Sequence, residues 1–499
     1  MDRRKFIRSS LSAAVLAALP ASQVLAKSLV HTPTTIPSDI DAVHSDGSGF
    51  TLAKAAVQEL SDSLRGRLLL PGSAAYDEAR SLLMQAYDKY PALVVQPTGA
   101  ADVQHAVNFA RENSLLLAVK CGGHAAAGTS SCDKGMQIDL SQLRNARVDP
   151  VAKTARIAGG SWLRDLDYEA MSHGLVTTAG TVSHTGVGGL TLGGGFGRLG
   201  RRFGMSIDNV LEMDVVTPDG KLRRVGPSND ADLYWALRGG GGNFGVATSF
   251  LFQLHEMQRE VVRGYFSYPV AEAKQVLQAY AEISKDVPYE LGMGAWLGNR
   301  PGQEPSLGVG FMWSGDAAEL EQHIAPLRDI GTVVAESINT EDYVAVQRSG
   351  DVDDVRVFTG QMKSGFINAV EDDLINKLVD NFEPHPERGM RLVFSQMGGA
   401  IADVGRTDTA FSQREAQQTL MSFVSWVPGA DEAAHVKYHR EHWSNADPYT
   451  TGFYVNDYFS ETPEQVNGTY RENFARLWDI KQQYDPGNLF RLNANIQAT

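Results

Sequence analysis

Residues 120–132 read "KCGGHAAAGTSSC". They hold both cysteines of the chain and one histidine set among small residues. Three chemistries suit such a loop: a metal site, a catalytic base, or an attachment point for a cofactor. Cys121, His124 and Cys132 are soft ligands, but zinc wants four protein ligands, or three and a water, with supporting partners. No CxxC pair elsewhere completes such a set, so no metal is expected here. The two cysteines either pair with each other or stand as buried thiols. Two more segments attract notice. "GFGRLG" at 195–200 and "GGGNFG" at 240–245 both fit G-x-G-x-x-G. A dinucleotide fingerprint needs a strand before it and a helix after it. "GGGNFG" instead follows the helical "ADLYWALR" and precedes a strand. In a chain with 49 glycines, chance matches are expected.

The elements that must position these residues change character along the chain. Residues 1–26 read as a cleavable export signal: a basic start, a short apolar run, and small residues to Ala26. The apolar run is too short to span a membrane, and no later segment reads as a span. Arg3 and Arg4 before Phe6 resemble the twin-arginine type of signal, which implies a periplasmic or secreted protein. Residues 27–49 are polar and read as a linker. Residues 91–124 then read strand, helix, strand, with Val103, Ala106, Val107 and Ala110 at helical spacing. From 122 to 245 short strands alternate with glycine turns, and "TPDGK" at 217–221 signals a hairpin. Between 261 and 433 strands such as "SLGVGFMW" alternate with amphipathic helices such as "AAELEQHIAPLRDI", an α+β layer pattern. The tail, 434–499, is aromatic and polar.

Formal net charge is −14, and the basic leader makes the remainder more acidic still. Such a surface repels phosphate backbones and anionic lipids, so nucleic acid is not an expected partner. Glycine at this density lets bare main chain lie against a large ligand.

Taken together, "KCGGHAAAGTS", "GTVSHTGVGGLTLGGGFG", "DLYWALRGGGGNFGVAT" and "YDPGNLFRLNANI" resemble, in this order, the FAD-linked oxidases of the vanillyl-alcohol oxidase superfamily, specifically the berberine-bridge-enzyme-like group. The resemblance runs over nearly all of the chain after the leader. It implies an α+β fold of two domains. A PCMH-type FAD-binding domain of two α+β subdomains is expected over 50–260, completed by 434–499. A substrate domain, an antiparallel sheet covered by helices, is expected over 261–433. Hydride would pass from an alcohol, sugar, amine or phenolic substrate to the flavin, with dioxygen or another acceptor reoxidising it. A flavin-binding redox or binding protein without turnover is the alternative.

The resemblance implies a single covalent link from His124 to FAD. Lys120, Gly122, Gly123, Gly128 and Thr129 would surround the diphosphate. Gly180 and Thr181 belong to a "GTC" motif that often carries a second, cysteinyl link, but Val182 stands in the cysteine's place. Thr185 matches a position that governs oxygen access. Gly186, Gly188, Gly189, Gly193 and Gly194 would line the ring and phosphates, with Gly245 and Val246 on the adenine or ribitol side. Asn493 and Asn495 close the site. "YVNDY" resembles the strand carrying the family's tyrosine base, so Tyr454 or Tyr458 is the expected catalytic residue. A tyrosine needs neighbours that lower its pKa to serve as a base.

Overall fold

The computed structural model describes residues 33–84, 86–352 and 360–498. The expected export signal lies outside the described residues. The chain folds as α+β around separate apolar cores, one under each main sheet.

The first unit is a four-stranded sheet in the order Arg67–Leu69, Leu93–Gln96, Met136–Asp139, Leu117–Lys120. Its last three strands run parallel. The helix Ala100–Glu112 makes the crossover, and buries Val103, Ala106, Val107 and Ala110, the stripe its spacing foretells. Part of the expected linker is ordered and packed: Ile40–Val43 pairs with Gly49–Leu52, and Ile36 is fully buried in this core. Alternating apolar residues after a polar tail were enough to form that ribbon.

The second unit is a five-stranded antiparallel sheet in the order Leu222–Val225, Val210–Val216, Val246–Gln253, Thr154–Ala158, Ala146–Asp149. "TPDGK" forms the expected hairpin between its first two strands, with Thr217 accepting the Gly220 N–H.

The third unit is a seven-stranded antiparallel sheet. Its order is Ala335–Asp342, Glu260–Tyr268, Ser306–Trp313, Leu291–Asn299, Arg388–Gln396, Gln418–Trp426, Gly360–Ile367. The strand Gln418–Trp426 alternates strictly between buried and partly open positions. Leu420 turns to the covering helices, while Thr419 and Met421 turn to a cavity on the other face. The helices Ala273–Ile283, Asp372–Asp380 and Glu432–Trp443 supply Val276, Leu277, Leu374, Leu378 and Trp443 to the covered side. The last of these helices, Glu432–Trp443, starts before the expected boundary at 434 and packs in the layer covering this sheet. "AAELEQHIAPLRDI" is not one amphipathic helix. It is α-helical only over Leu320–Ile324 and continues as a 3₁₀ turn, because Pro326 lacks the N–H that a continuing helix needs.

The tail is locked back by a buried ion pair. Lys481 lies 2.7 Å from Asp485, and its ammonium also donates to the carbonyl of Asn243 at 2.8 Å. Asp485 in turn accepts from the backbone of Leu489 and Phe490.

One contact between the domains is built to respond to pH. Asp167, on the helix Leu163–Met171, is buried, and its carboxylate accepts from Gln347 at 3.3 Å, on the helix Tyr343–Arg348 of the other domain. The buried Tyr343 also faces it. Burial raises its pKa to about 8, above the unfolded carboxylate value. The folded state therefore holds this proton longer than the unfolded chain. The stabilisation is fully present below the ordinary carboxylate range and is lost as pH rises through about 8. Thermal unfolding across that range will show a falling midpoint in the wild type and a shallower fall in Asp167→Asn. Equal slopes would remove Asp167 from the account.

Candidate active site

Two cavities meet where the glycine-rich segments face the seven-stranded sheet. The inner one, about 350 Å³, is lined by the loop after Leu117–Lys120, the helix Val187–Gly193, the 241–247 turn and the tail around Asn493. The outer one, about 710 Å³, lies between Phe196–Arg201 and the open face of the sheet. Thr185, Leu190, Tyr454 and Asp457 line both.

The inner cavity brings together most of the expected cofactor residues. Gly122, Gly123, His124, Thr129, Thr185 and Gly186 line it. So do Gly188, Gly189, Gly245, Val246 and Asn493. Glycine is required at Gly122 by close approach, since a Cβ there would sit 2.3 Å from the Gly186 nitrogen. Gly189 has nothing within 4 Å of its Cβ direction, so its bare face is open. Among the described residues, no lysine or arginine lines this cavity. An anionic diphosphate here would meet backbone N–H groups of the glycine turns and neutral polar side chains such as Thr129, Ser130 and Asn493. Asn493 lines the cavity, and its Oδ1 has no hydrogen-bond partner among the described residues. These residues fit FAD. A Gly189→Leu chain is expected to fold but to purify colourless, checked by the ratio of flavin to protein absorbance. A fully loaded variant would contradict the placement.

Other expected residues lie elsewhere. Lys120 is turned away: its buried ammonium donates to the Ala79 carbonyl at 2.6 Å and lies 3.9 Å from Asp139. Gly128 lies against the Tyr87 ring, and Gly193 against Asn456. Gly194 packs beside Met205 and Tyr454. Gly180, Thr181 and Val182 line the outer cavity. Asn495 donates to Gln497 at 3.2 Å. The cysteines are free, not bridged. Cys121 does line the inner cavity, but its thiol points at the Gly159 carbonyl, 3.1 Å away, and burial raises its pKa to about 11. Cys132 is buried near Met136. Among the described residues, a group of three metal-competent side chains occurs at His385, Glu387 and His435, not at the cysteine loop. His385 and Glu387 precede the sheet strand Arg388–Gln396, whose other end lines the outer cavity.

His124 is held by a second histidine. Its Nε2 lies 2.8 Å from Nδ1 of His184, and its Nδ1 is 3.5 Å from the Thr185 hydroxyl. The Val352 N–H donates to Nε2 of His184, so the proton of a neutral His184 sits on Nδ1 and is given to His124. Burial, with His184 adding to it, lowers the His124 pKa to about 4. The ring is neutral at ordinary pH.

The "YVNDY" segment is a 3₁₀ turn, Val455–Asp457, rather than a strand. Tyr454 accepts hydrogen bonds from the Gly195 N–H at 2.8 Å and from Asn456 at 2.7 Å. Despite these donors, burial pushes its phenol well above 10, and burial raises Tyr458 as well. The surroundings of neither tyrosine bring its phenol down toward neutrality. Asp457, which sequence reasoning passed over, has a carboxyl raised to about 7, first by burial and further by Glu461. Glu461 is itself paired with Lys363 at 2.8 Å. It lies inside the "YVNDY" segment, beside the tyrosines that the resemblance singles out, and the turn carries it to the junction of the two cavities.

Comparison with known proteins places the chain among FAD-linked oxidoreductases. Residues 91–226 match the family described as FAD binding domain, and residues 453–497 the family described as berberine and berberine like. An FAD-linked oxidoreductase of Dictyostelium discoideum is 31% identical over 451 residues, which is 89% of this chain and 97% of the relative. (R)-6-hydroxynicotine oxidase of Paenarthrobacter nicotinovorans is 27% identical, covering 87% of this chain and 97% of its own. The solved 6-hydroxy-D-nicotine oxidase of Arthrobacter nicotinovorans matches with a TM-score of 0.79 at 26% identity, over 87% of this chain and 98% of that one. The glucooligosaccharide oxidase of Acremonium strictum, with its 6-S-cysteinyl, 8α-N1-histidyl FAD, has the same fold. Its TM-score is 0.79 at 21% identity, over 89% of this chain and 100% of that one. With identity sustained along almost the whole of an FAD-linked relative, and a glycine cradle that fits the cofactor, this chain belongs to the berberine-bridge-enzyme-like FAD-linked oxidoreductases.

Proposed function

We propose that this enzyme oxidises a small alcohol, sugar, amine or phenolic substrate held in the outer cavity, with FAD in the inner one and joined to the chain through His124 alone. The observation that carries the reading is the shared wall. Thr185, Leu190, Tyr454 and Asp457 line both cavities, so a substrate in one meets the cofactor of the other. Bound FAD supplies the two-electron acceptor for hydride.

The protein's part is proton handling and orientation. Asp457, ionised above about 7, takes the substrate's hydroxyl or amine proton. The Tyr454 hydroxyl already accepts two hydrogen bonds, so its own proton is left to donate to the substrate oxygen.

Single attachment is supported by the absence of a nucleophilic thiol. Val182 has none, and the Cys121 thiol keeps its proton. Nε2 of His124 is engaged by His184, which leaves Nδ1 for the bond; in this neutral tautomer Nδ1 carries the ring proton and releases it as the bond forms. That agrees with the N1-histidyl attachment of the Acremonium strictum enzyme. Export through a twin-arginine signal belongs to the same proposal and rests on the leader's sequence alone. Reoxidation by dioxygen or by another acceptor fits equally.

The test is anaerobic mixing of the yellow protein with candidate alcohols, sugars and amines. Bleaching of the flavin by at least one class, with return of colour in air or with an added acceptor, is expected. A protein that dithionite bleaches and no substrate does would refute turnover.

A further inference from the structure

The outer cavity has a charge that the protein as a whole does not. The chain carries a net −14, yet four arginines line this cavity, Arg198, Arg201, Arg263 and Arg391, against the acids Glu341 and Asp457. Two of the four are spent. Arg201 gives its donors to the carbonyls of Leu291, Met397 and Val287 at 2.9, 2.5 and 2.9 Å. Arg263 is paired with Glu341 at 3.2 Å and donates to Ser349 at 2.8 Å. The other two are not. Among the described residues, Arg198 makes one long bond, 3.3 Å, to the Thr181 carbonyl, and its buried Nε has no partner there. Arg391 has no carboxylate partner among the described residues. It lies 5.9 Å from the centre of the Trp296 ring, its diagonal neighbour across the strands Arg388–Gln396 and Leu291–Asn299.

Trp296 shapes what can sit beside Arg391. Its indole lies over the strand Ser306–Trp313 at Gly308, where a Cβ would come within 2.3 Å of the ring, and at Gly310. Tyr265 meets it edge-on, with centroids 6.3 Å apart. The result is an aromatic wall with an uncompensated guanidinium at its side. Arg391 is exposed, so its donors are open to an anion with matching acceptor geometry.

We propose that the substrate is a ring-bearing carboxylate: its ring lies on Trp296, its carboxylate is taken by Arg391, and Arg198 adds to the attracting field. This rests on the reading of the outer cavity as the substrate site. Positive charge gathered in this cleft then raises the local concentration of such anions against the repulsion of the acidic surface.

Two measurements on the FAD-loaded enzyme test it separately from turnover. In the first, flavin difference spectra are recorded during titration with benzoate and with benzyl alcohol. Benzoate is expected to bind tighter than the alcohol and to weaken with added salt. Its Kd should rise about 10–100-fold in Arg391→Gln, the loss of a charge-assisted hydrogen bond, with partial recovery in Arg391→Lys. In the second, mandelate is compared with benzyl alcohol, and glucuronate with glucose, for flavin reduction. The carboxylate of each pair should have the lower KM, with that advantage lost in Arg391→Gln. Equal binding of benzoate and benzyl alcohol, or equal weakening of both in Arg391→Gln, would overturn the inference. If none of the four compounds reduces the flavin while benzoate still binds through Arg391, the anion site stands and the turnover reading is the part that suffers.

Discussion

Replacing Asp457 by asparagine will lower kcat by roughly 10²–10⁴-fold, the ordinary worth of a positioned general base, while FAD stays bound. The expectation follows from three facts taken together. Asp457 lines both cavities. Its carboxyl is raised to about 7 by burial, with the neighbouring Glu461 adding to the shift. The tyrosines beside it are held protonated. A base must be ionised to act, so the wild-type rate will climb with pH through about 7 and then level. In Asp457→Asn that limb should vanish along with most of the rate. Tyr454→Phe should behave differently. Losing one hydroxyl donor to the substrate oxygen costs about 10²-fold, with the limb near 7 retained. A pH profile that loses its limb in Tyr454→Phe and keeps it in Asp457→Asn would return the base role to the tyrosine.

His124→Ala will convert the flavin from a part of the polypeptide into a dissociable ligand. Denatured wild-type protein should keep its yellow colour through acid precipitation, whereas the variant should release all of it. The glycine cradle remains in the variant, so its native form should still bind FAD without the bond. His184→Ala is the more discriminating change. His184 does not supply the bond but holds the ring of His124 at 2.8 Å and keeps its Nε2 occupied. Attachment should become slow and partial, visible as a mixture of bound and released flavin. Release of flavin by the denatured wild type would end the proposal of covalent attachment.

The order of the glycine segments, the histidine among them, and valine at the position of a linking cysteine are local facts, and they carried the family, the cofactor and the likeness of the fold. Helical spacing at Val103, Ala106, Val107 and Ala110 was legible for the same reason: a helix buries a stripe that the chain itself spells out. What had no local signature was decided by approach in space. Lys120 looked like a phosphate contact until the fold turned its ammonium to the Ala79 carbonyl. The cysteines, eleven positions apart in a short loop, looked able to pair, and the fold sends one toward Gly159 and the other toward Met136. Asp457 and Arg391 are ordinary charged residues in the sequence. Their chemistry comes from burial, from the partners they have or lack, and from the cavity they face, and these depend on segments hundreds of residues apart. Residue types and their order therefore specified which cofactor this protein holds. Only the tertiary structure, by desolvating some charges and pairing others, decided which side chains could act on a substrate beside it.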